Sequence, residues 1–141
     1  MTLEVSNSHI FFAYHIRSAY LTFEASLRKI LAEWDLSPRN FYVLRCDWKP
    51  EETSLDEIMA HSMLTRKDAS QALADLIAKD YVVKGFKEGL YSLSAQGSAL
   101  RNQALEAYHV HISKLTDGLS DKVIETALSS LLTVQNNIQA T

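Results

Sequence analysis

This chain of 141 residues is poor in the residues that interrupt or cross-link structure. Four glycines and two prolines leave little material for long disordered linkers. A single cysteine, Cys46, excludes an internal disulfide and fits a reducing compartment. No apolar run approaches the ~20 residues that span a bilayer. The start, MTLEVSNSHIFF, has no basic region leading into an apolar stretch. Neither a membrane anchor nor a secretory signal is therefore expected, and a cytoplasmic protein is. An excess of positive charge is missing too. The formal net charge of −3 excludes coating of nucleic acid by bulk charge but not a local basic patch.

Catalytic signatures are also absent. There is no G-x-S-x-G, H-E-x-x-H, phosphate-binding loop or dinucleotide fingerprint, so no enzyme and no cofactor is expected. Five histidines are present, but His109 and His111 are two apart in a helical segment and diverge. His9 and His15 are six apart, also on different faces, and no metal site is expected.

What the sequence has is helical periodicity. Phe12, Ile16, Tyr20, Phe23, Leu27, Ile30, Leu31 and Trp34 fall at the spacing of one helix face. Ile10, Phe11, Tyr14 and Leu21 are apolar off that face, so this helix needs more than one packing partner. Ser37-Pro38 opens a second helix, Ser as cap and Pro at its first position. Residues 49–53 read as a loop. Ser54 with Glu57 forms a capping box for a short helix to about His61. Thr65 with Asp68 starts another, with Ala69, Leu73, Leu76 and Ile77 inward and an end near Lys79 or Asp80. Two strand-like runs follow, 81–83 and 90–93, around Gly85-Phe86-Lys87-Glu88-Gly89. Ser94 caps the next helix, Asp117-Gly118 stops it, and Ser120 caps the last. No repeat and no domain boundary is evident.

A short helix, a turn, a second helix and a hairpin make a winged helix-turn-helix. Reading DNA requires polar and basic groups on the outer face of the second helix, near its start. The outward set is Arg66, Lys67, Ser70, Gln71 and small Ala74. Arg and Gln suit base edges, Lys and Ser phosphate. A solvated helix face would carry the same residue types.

The stretches LSPRNFYVLR, SLDEIMAHSMLTRKDASQALADLIAKDYVVKG and YSLSAQGSAL, in this order, resemble the MarR family of bacterial transcription regulators. The resemblance covers nearly the whole chain. It implies a mainly α fold with a small β-hairpin, spanning 1–141 as a single domain. Residues 37–93 would be the winged helix-turn-helix, and 9–35 and 95–139 dimerisation helices. It implies a homodimer on a pseudo-palindromic operator in double-stranded DNA. Thr65, Arg66, Lys67, Ser70 and Gln71 would read the groove, Ser54 would meet phosphate, and Lys84 and Lys87 would do so from the wing. It also implies a small aromatic or phenolic effector, for which Tyr14, His15, Arg17, Trp34, Arg45 and Trp48 would supply walls and a carboxylate anchor. The plainer reading of those six is interface aromatics and surface arginines. Thiol sensing in some relatives raises a redox role for Cys46; a buried inert thiol is the expectation.

Two departures stand out. The family usually has glycine where Asp80 stands, and a longer wing carrying an arginine for the minor groove. Here no arginine lies between Arg66 and Arg101. Against the regulator stands a second reading, a winged-helix protein-interaction module or antagonist of another regulator.

Overall fold

The computed structural model describes residues 5–140. Helix α1 runs Asn7–Leu31 and passes through a 3-10 turn, Ala32–Trp34, into α2, Pro38–Leu44. Strand β1, Thr53–Ser54, leads into α3, Leu55–Ser62, then α4, Arg66–Ala78. Strands β2, Val82–Lys84, and β3, Leu90–Leu93, precede α5, Ala95–Leu115, and α6, Asp121–Gln139. The chain forms two compact units, one ending at Tyr108 and one starting at His109. No helix among the described residues is long and apolar enough to cross a membrane.

The helix starts are local chemistry. Ser37, Ser54, Thr65 and Ser120 each accept the backbone N–H three residues on, so an orphan donor of the first turn is satisfied. At Ser54 the box is reciprocal, with Glu57 accepting the Ser54 N–H. The Lys49 ammonium lies 2.6 Å from the Glu57 carboxylate. That contact first, and then the Ser54 N–H, holds the Glu57 carboxyl below its usual range.

The hairpin gains a third strand. The expected loop at 49–53 ends in β1, which pairs antiparallel with β3, giving the order β1-β3-β2. Thr53 faces Tyr91 and Ser54 faces Leu90. This pairing spans the whole helix-turn-helix in sequence, so no local pattern announces it. The 3-10 turn likewise ends α1 proper at Leu31 rather than near residue 35.

The core of the first unit gathers Leu27 and Leu31 of α1, Phe41, Val43 and Leu44 of α2, Ile58 of α3 and Ala72, Leu73 and Leu76 of α4. Ala69 is buried as expected; Ile77 is only half-buried. Arg101 of α5 closes the end of α2, its guanidinium donating to the carbonyls of Leu44, Arg45 and Cys46. In the second unit α6 buries no residue fully, and Val123, Leu128, Leu131, Leu132 and Ile138 are exposed. In the first unit Phe11, Phe12, Tyr14, Ile16, Tyr20 and Leu21 are exposed along α1.

The link from α4 to the sheet explains one departure. Asp80 has φ 63°, in the left-handed region that glycine enters freely and other residues enter at a cost. Beyond the sheet, Ser94 donates its hydroxyl to the Asp80 carbonyl and accepts the Gly97 N–H. The Tyr81 carbonyl lies against Gly97, so closely that a Cβ there would run into it. We expect Gly97→Ala to cost ~1–3 kcal/mol through this overlap. Asp80→Gly should instead raise stability by up to about 1 kcal/mol. Urea midpoints of the two variants check both signs.

Candidate nucleic-acid interface

Burial of one stripe of α4 decides which residues it shows. With Ala69, Ala72, Leu73 and Leu76 inward, Thr65, Arg66, Lys67, Ser70, Gln71 and Ala74 are all exposed. The five candidate readers therefore share one surface at the start of this helix. Arg66 is not idle there. Its guanidinium lies 2.9 Å from Asp56 of α3, both side chains well exposed. Such a surface pair contributes about 0–1 kcal/mol, so a phosphate or base edge can take the arginine over at little cost.

Gln71 is engaged from a direction the sequence does not announce. Arg39 of α2 donates to its Oε1 at 3.4 Å and to Asp75 at 3.3 Å. The contact leaves the Gln71 amide N–H donors, and a second lone pair on its oxygen, free of Arg39. Arg39 thus helps to hold the exposed face of α4, 32 positions before the glutamine it bonds. Ser54 stands differently. Its hydroxyl accepts the Glu57 N–H and donates to the Glu57 carboxylate, so the cap takes up the group expected to meet phosphate.

The wing brings Lys84 to the same face. A groove of about 370 Å³ between α4 and the sheet is lined by Ser70, Ala74, Ile77, Lys84 and Tyr91 among others. Lys87 is exposed in the turn beyond. Phe86, beside it, is fully exposed at 104%.

A second cavity, about 320 Å³, lies behind the helix-turn-helix. Tyr20, Phe23, Tyr42, Arg45, Ser62, Met63, Leu64 and Tyr108 line it. Of the six residues expected at an effector pocket, Arg45 alone is in this lining. Tyr14, His15 and Arg17 are exposed on the first half of α1, the first two rings edge to face at 5.3 Å. Trp34 packs on the core. Trp48 donates its indole N–H to the Val43 and Leu44 carbonyls, which ties it to the end of α2. The walls are instead tyrosines and a phenylalanine brought from α1, α2 and α5. Their i, i+3 and i, i+4 spacings read as core, and nothing local marks them as a cavity.

Arg45 is held by aromatic rings. Its guanidinium sits 5.2 Å from the Tyr42 ring, 5.7 Å from Tyr108 and 5.9 Å from Phe41. It also donates to the Tyr108 hydroxyl at 3.3 Å. Burial raises the Tyr42 phenol, and the bond to Glu24 raises Tyr20, so both stay neutral. Among the described residues of this lining, Arg45 then carries the formal charge. A neutral aromatic chamber with one cation suits a flat molecule bearing an anionic or hydroxyl group.

Cys46 is buried, its thiol donating to the Tyr42 carbonyl at 3.2 Å. Burial pushes the thiol up to about 11, and the nearby Arg45 and Arg101 only partly offset this. Among the described residues no group of three His, Cys, Asp or Glu is placed to hold a metal ion.

The sequence matches no family model and no curated protein. Solved structures are similar across almost the whole chain. A MarR-family transcriptional regulator from Silicibacter pomeroyi is 17% identical, with 98% of this chain and 97% of that one covered, at a TM-score of 0.74. BpsR of Bordetella bronchiseptica, whose DNA binding is regulated by 6-hydroxynicotinic acid, is 17% identical over 89% and 98%, at 0.75. CouR of Rhodococcus jostii RHA1, bound to p-coumaroyl-CoA, is 18% identical over 87% and 90%, at 0.76. The chain has the winged helix-turn-helix architecture, and its particular form is the MarR-type fold.

Only a thiolate attacks oxidants or disulfides. At pH 7 to 8 Cys46 should therefore react with a thiol reagent far more slowly in the folded protein than in the denaturant-unfolded chain. The folded rate should climb only as pH approaches about 11. Stopped-flow labelling across pH measures it.

Proposed function

We propose that this protein is a cytoplasmic, sequence-specific DNA-binding transcription regulator. It works as a homodimer whose grip on an operator responds to a small aromatic or phenolic ligand. The observation that carries the reading is the exposed, N-capped start of α4, with Arg66, Lys67, Ser70 and Gln71 on one face. The groove beside that face holds Lys84, so phosphate contact from the wing falls on the same side. The overall acidity is no obstacle, since phosphates respond to nearby charge.

A second copy of the chain is the partner that suits the exposed apolar residues. The first half of α1 and the stripe of α6 each leave large side chains in water. Burying them gains roughly 25 cal/mol per Å². A pseudo-palindromic site then follows from the two-fold symmetry of the dimer.

Ligand response would run through the cavity behind the helix-turn-helix. Ser62, Met63 and Leu64 of its lining form the turn that leads directly into Thr65, the cap of α4. Met63 sits in the left-handed region at φ 60°, a conformation costly for methionine. A ligand that displaces this turn or draws Arg45 from Tyr108 changes the aim of the reading helix. Its leverage is limited to its differential affinity for the two arrangements.

The alternative, a winged-helix interaction module or antagonist of another regulator, is favoured by two features. Arg66 is paired with Asp56 and the wing has no arginine.

Binding to DNA selected from a random pool separates the two. The regulator should give a salt-sensitive, sequence-specific complex with two chains per site in sedimentation. Arg66→Ala or Gln71→Ala should then cost ~1–3 kcal/mol and relax preference at one base position. Lys67→Ala should weaken all sequences alike and lower the salt slope by about 1. No selected sequence at all would favour the interaction module.

For the ligand, titration with a panel of aromatic carboxylates and phenols should quench tyrosine fluorescence and release the DNA. Arg45→Ala should weaken a carboxylate more than the matching phenol. Equal loss for both would place the anchor elsewhere.

A further inference from the structure

The tip of the wing carries a large apolar side chain where a charged one would be expected to touch phosphate. Phe86 is 104% exposed, more than any other large apolar residue among those described. A lone hydrophobe on a surface is ordinary. This one is held. Its backbone N–H donates to the Glu52 carboxylate at 2.9 Å, a residue that comes from the chain entering β1. The Gly85 N–H donates to the Leu90 carbonyl at 2.6 Å, and the Leu90 N–H returns to Lys87 at 3.3 Å. Gly89 closes the turn at φ 81°. Gly85 is required for the approach, because a Cβ there would lie 2.6 Å from Glu52 Oε1 and 2.9 Å from Leu90 Cβ. The segment entering β1 thus fastens the backbone of the turn and fixes where the ring projects, which lowers the backbone entropy lost on contact.

The charges around the ring are of both signs. Lys87 is followed in sequence by Glu88, and at the base of the turn the Glu52 carboxylate accepts the Phe86 N–H. What the wing projects is a phenyl ring between two lysines. On the same side, the groove shared by α4 and the sheet sets Ser70 and Ala74 of the reading helix beside Lys84. A duplex taken by α4 would meet the wing in the neighbouring minor groove. Apolar side chains there insert between base steps, unstack them and bend the helix, and gain from stacking without a positive charge. Flexible pyrimidine–purine steps give way most easily.

We propose that Phe86 is a minor-groove wedge and a specificity-determining residue, with Glu52 and Gly85 as its positioning residues. This rests on the DNA-binding reading above. The step it selects is a deformable TA or CA step at a fixed distance from the bases read by α4.

The test uses the full chain and DNA that it selects from a random pool, with 2-aminopurine placed at steps flanking the α4 footprint. Wild-type protein should raise the fluorescence at one flanking pyrimidine–purine step on each side. Phe86→Ala should abolish that rise and weaken binding about 5- to 100-fold. The slope of affinity against salt should stay unchanged, whereas Lys87→Ala should lower it by about 1. Phe86→Leu should keep much of the unstacking, and since the ring is exposed all variants should retain the wild-type melting midpoint. Equal fluorescence and affinity for Phe86→Ala and wild type would overturn the wedge and leave DNA binding standing. Loss of affinity with a reduced salt slope and no fluorescence change would also overturn it, as a charge effect. Selection of no DNA would overturn both readings.

Discussion

The burial of one stripe of α4 is the constraint on which the rest of this molecule depends. Ala69, Ala72, Leu73 and Leu76 are driven out of water against α2 and α3. A 13-residue helix held by so narrow a stripe must show its other side to solvent. Arg66, Lys67, Ser70 and Gln71 are on that side because they cannot be on the other. The surface that results is polar, basic at its start and ordered by a cap at Thr65.

Around this helix the contacts hold the groups that are proposed to read DNA. Arg39 steadies Gln71 and Asp75 from α2. Asp56 steadies Arg66 from α3. Both are exchangeable, because exposed ion pairs and long hydrogen bonds cost little to give up. The firmer attachments lie further back. Tyr81 against Gly97 sets the sheet on α5, and Arg101 ties α5 to the end of α2. The cavity walled by Tyr20, Tyr42 and Tyr108 sits among these firmer attachments and borders the turn into α4. The cavity thus borders both sets of contacts.

Helix starts were legible because they depend on residues three apart. Ser37, Ser54, Thr65 and Ser120 cap where a Ser or Thr precedes an amphipathic run. The outward set of α4 was legible for a related reason, since helical geometry alone assigns the faces. The third strand was not. Thr53 pairs with Tyr91 across the whole helix-turn-helix, and two residues carry too little pattern to show as a strand. The effector-site candidates show the same limit. Trp34 and Trp48 attract attention by residue type, yet Trp48 is bound to backbone carbonyls beside it. Arg45 alone of the six lies in the lining of the cavity, and the tyrosines around it come from helices that only folding brings together.

By itself, then, the sequence determined the order of the helices, their caps, the outer face of α4 and the excess of apolar surface on α1 and α6. Each follows from local periodicity or from composition. Tertiary structure alone decided that β1 fastens the wing, that Asp80 occupies a left-handed position, that Arg39 holds Gln71, and which rings enclose Arg45. Those features arise between residues far apart in the chain, and their energies appear only once the core has brought the elements into contact.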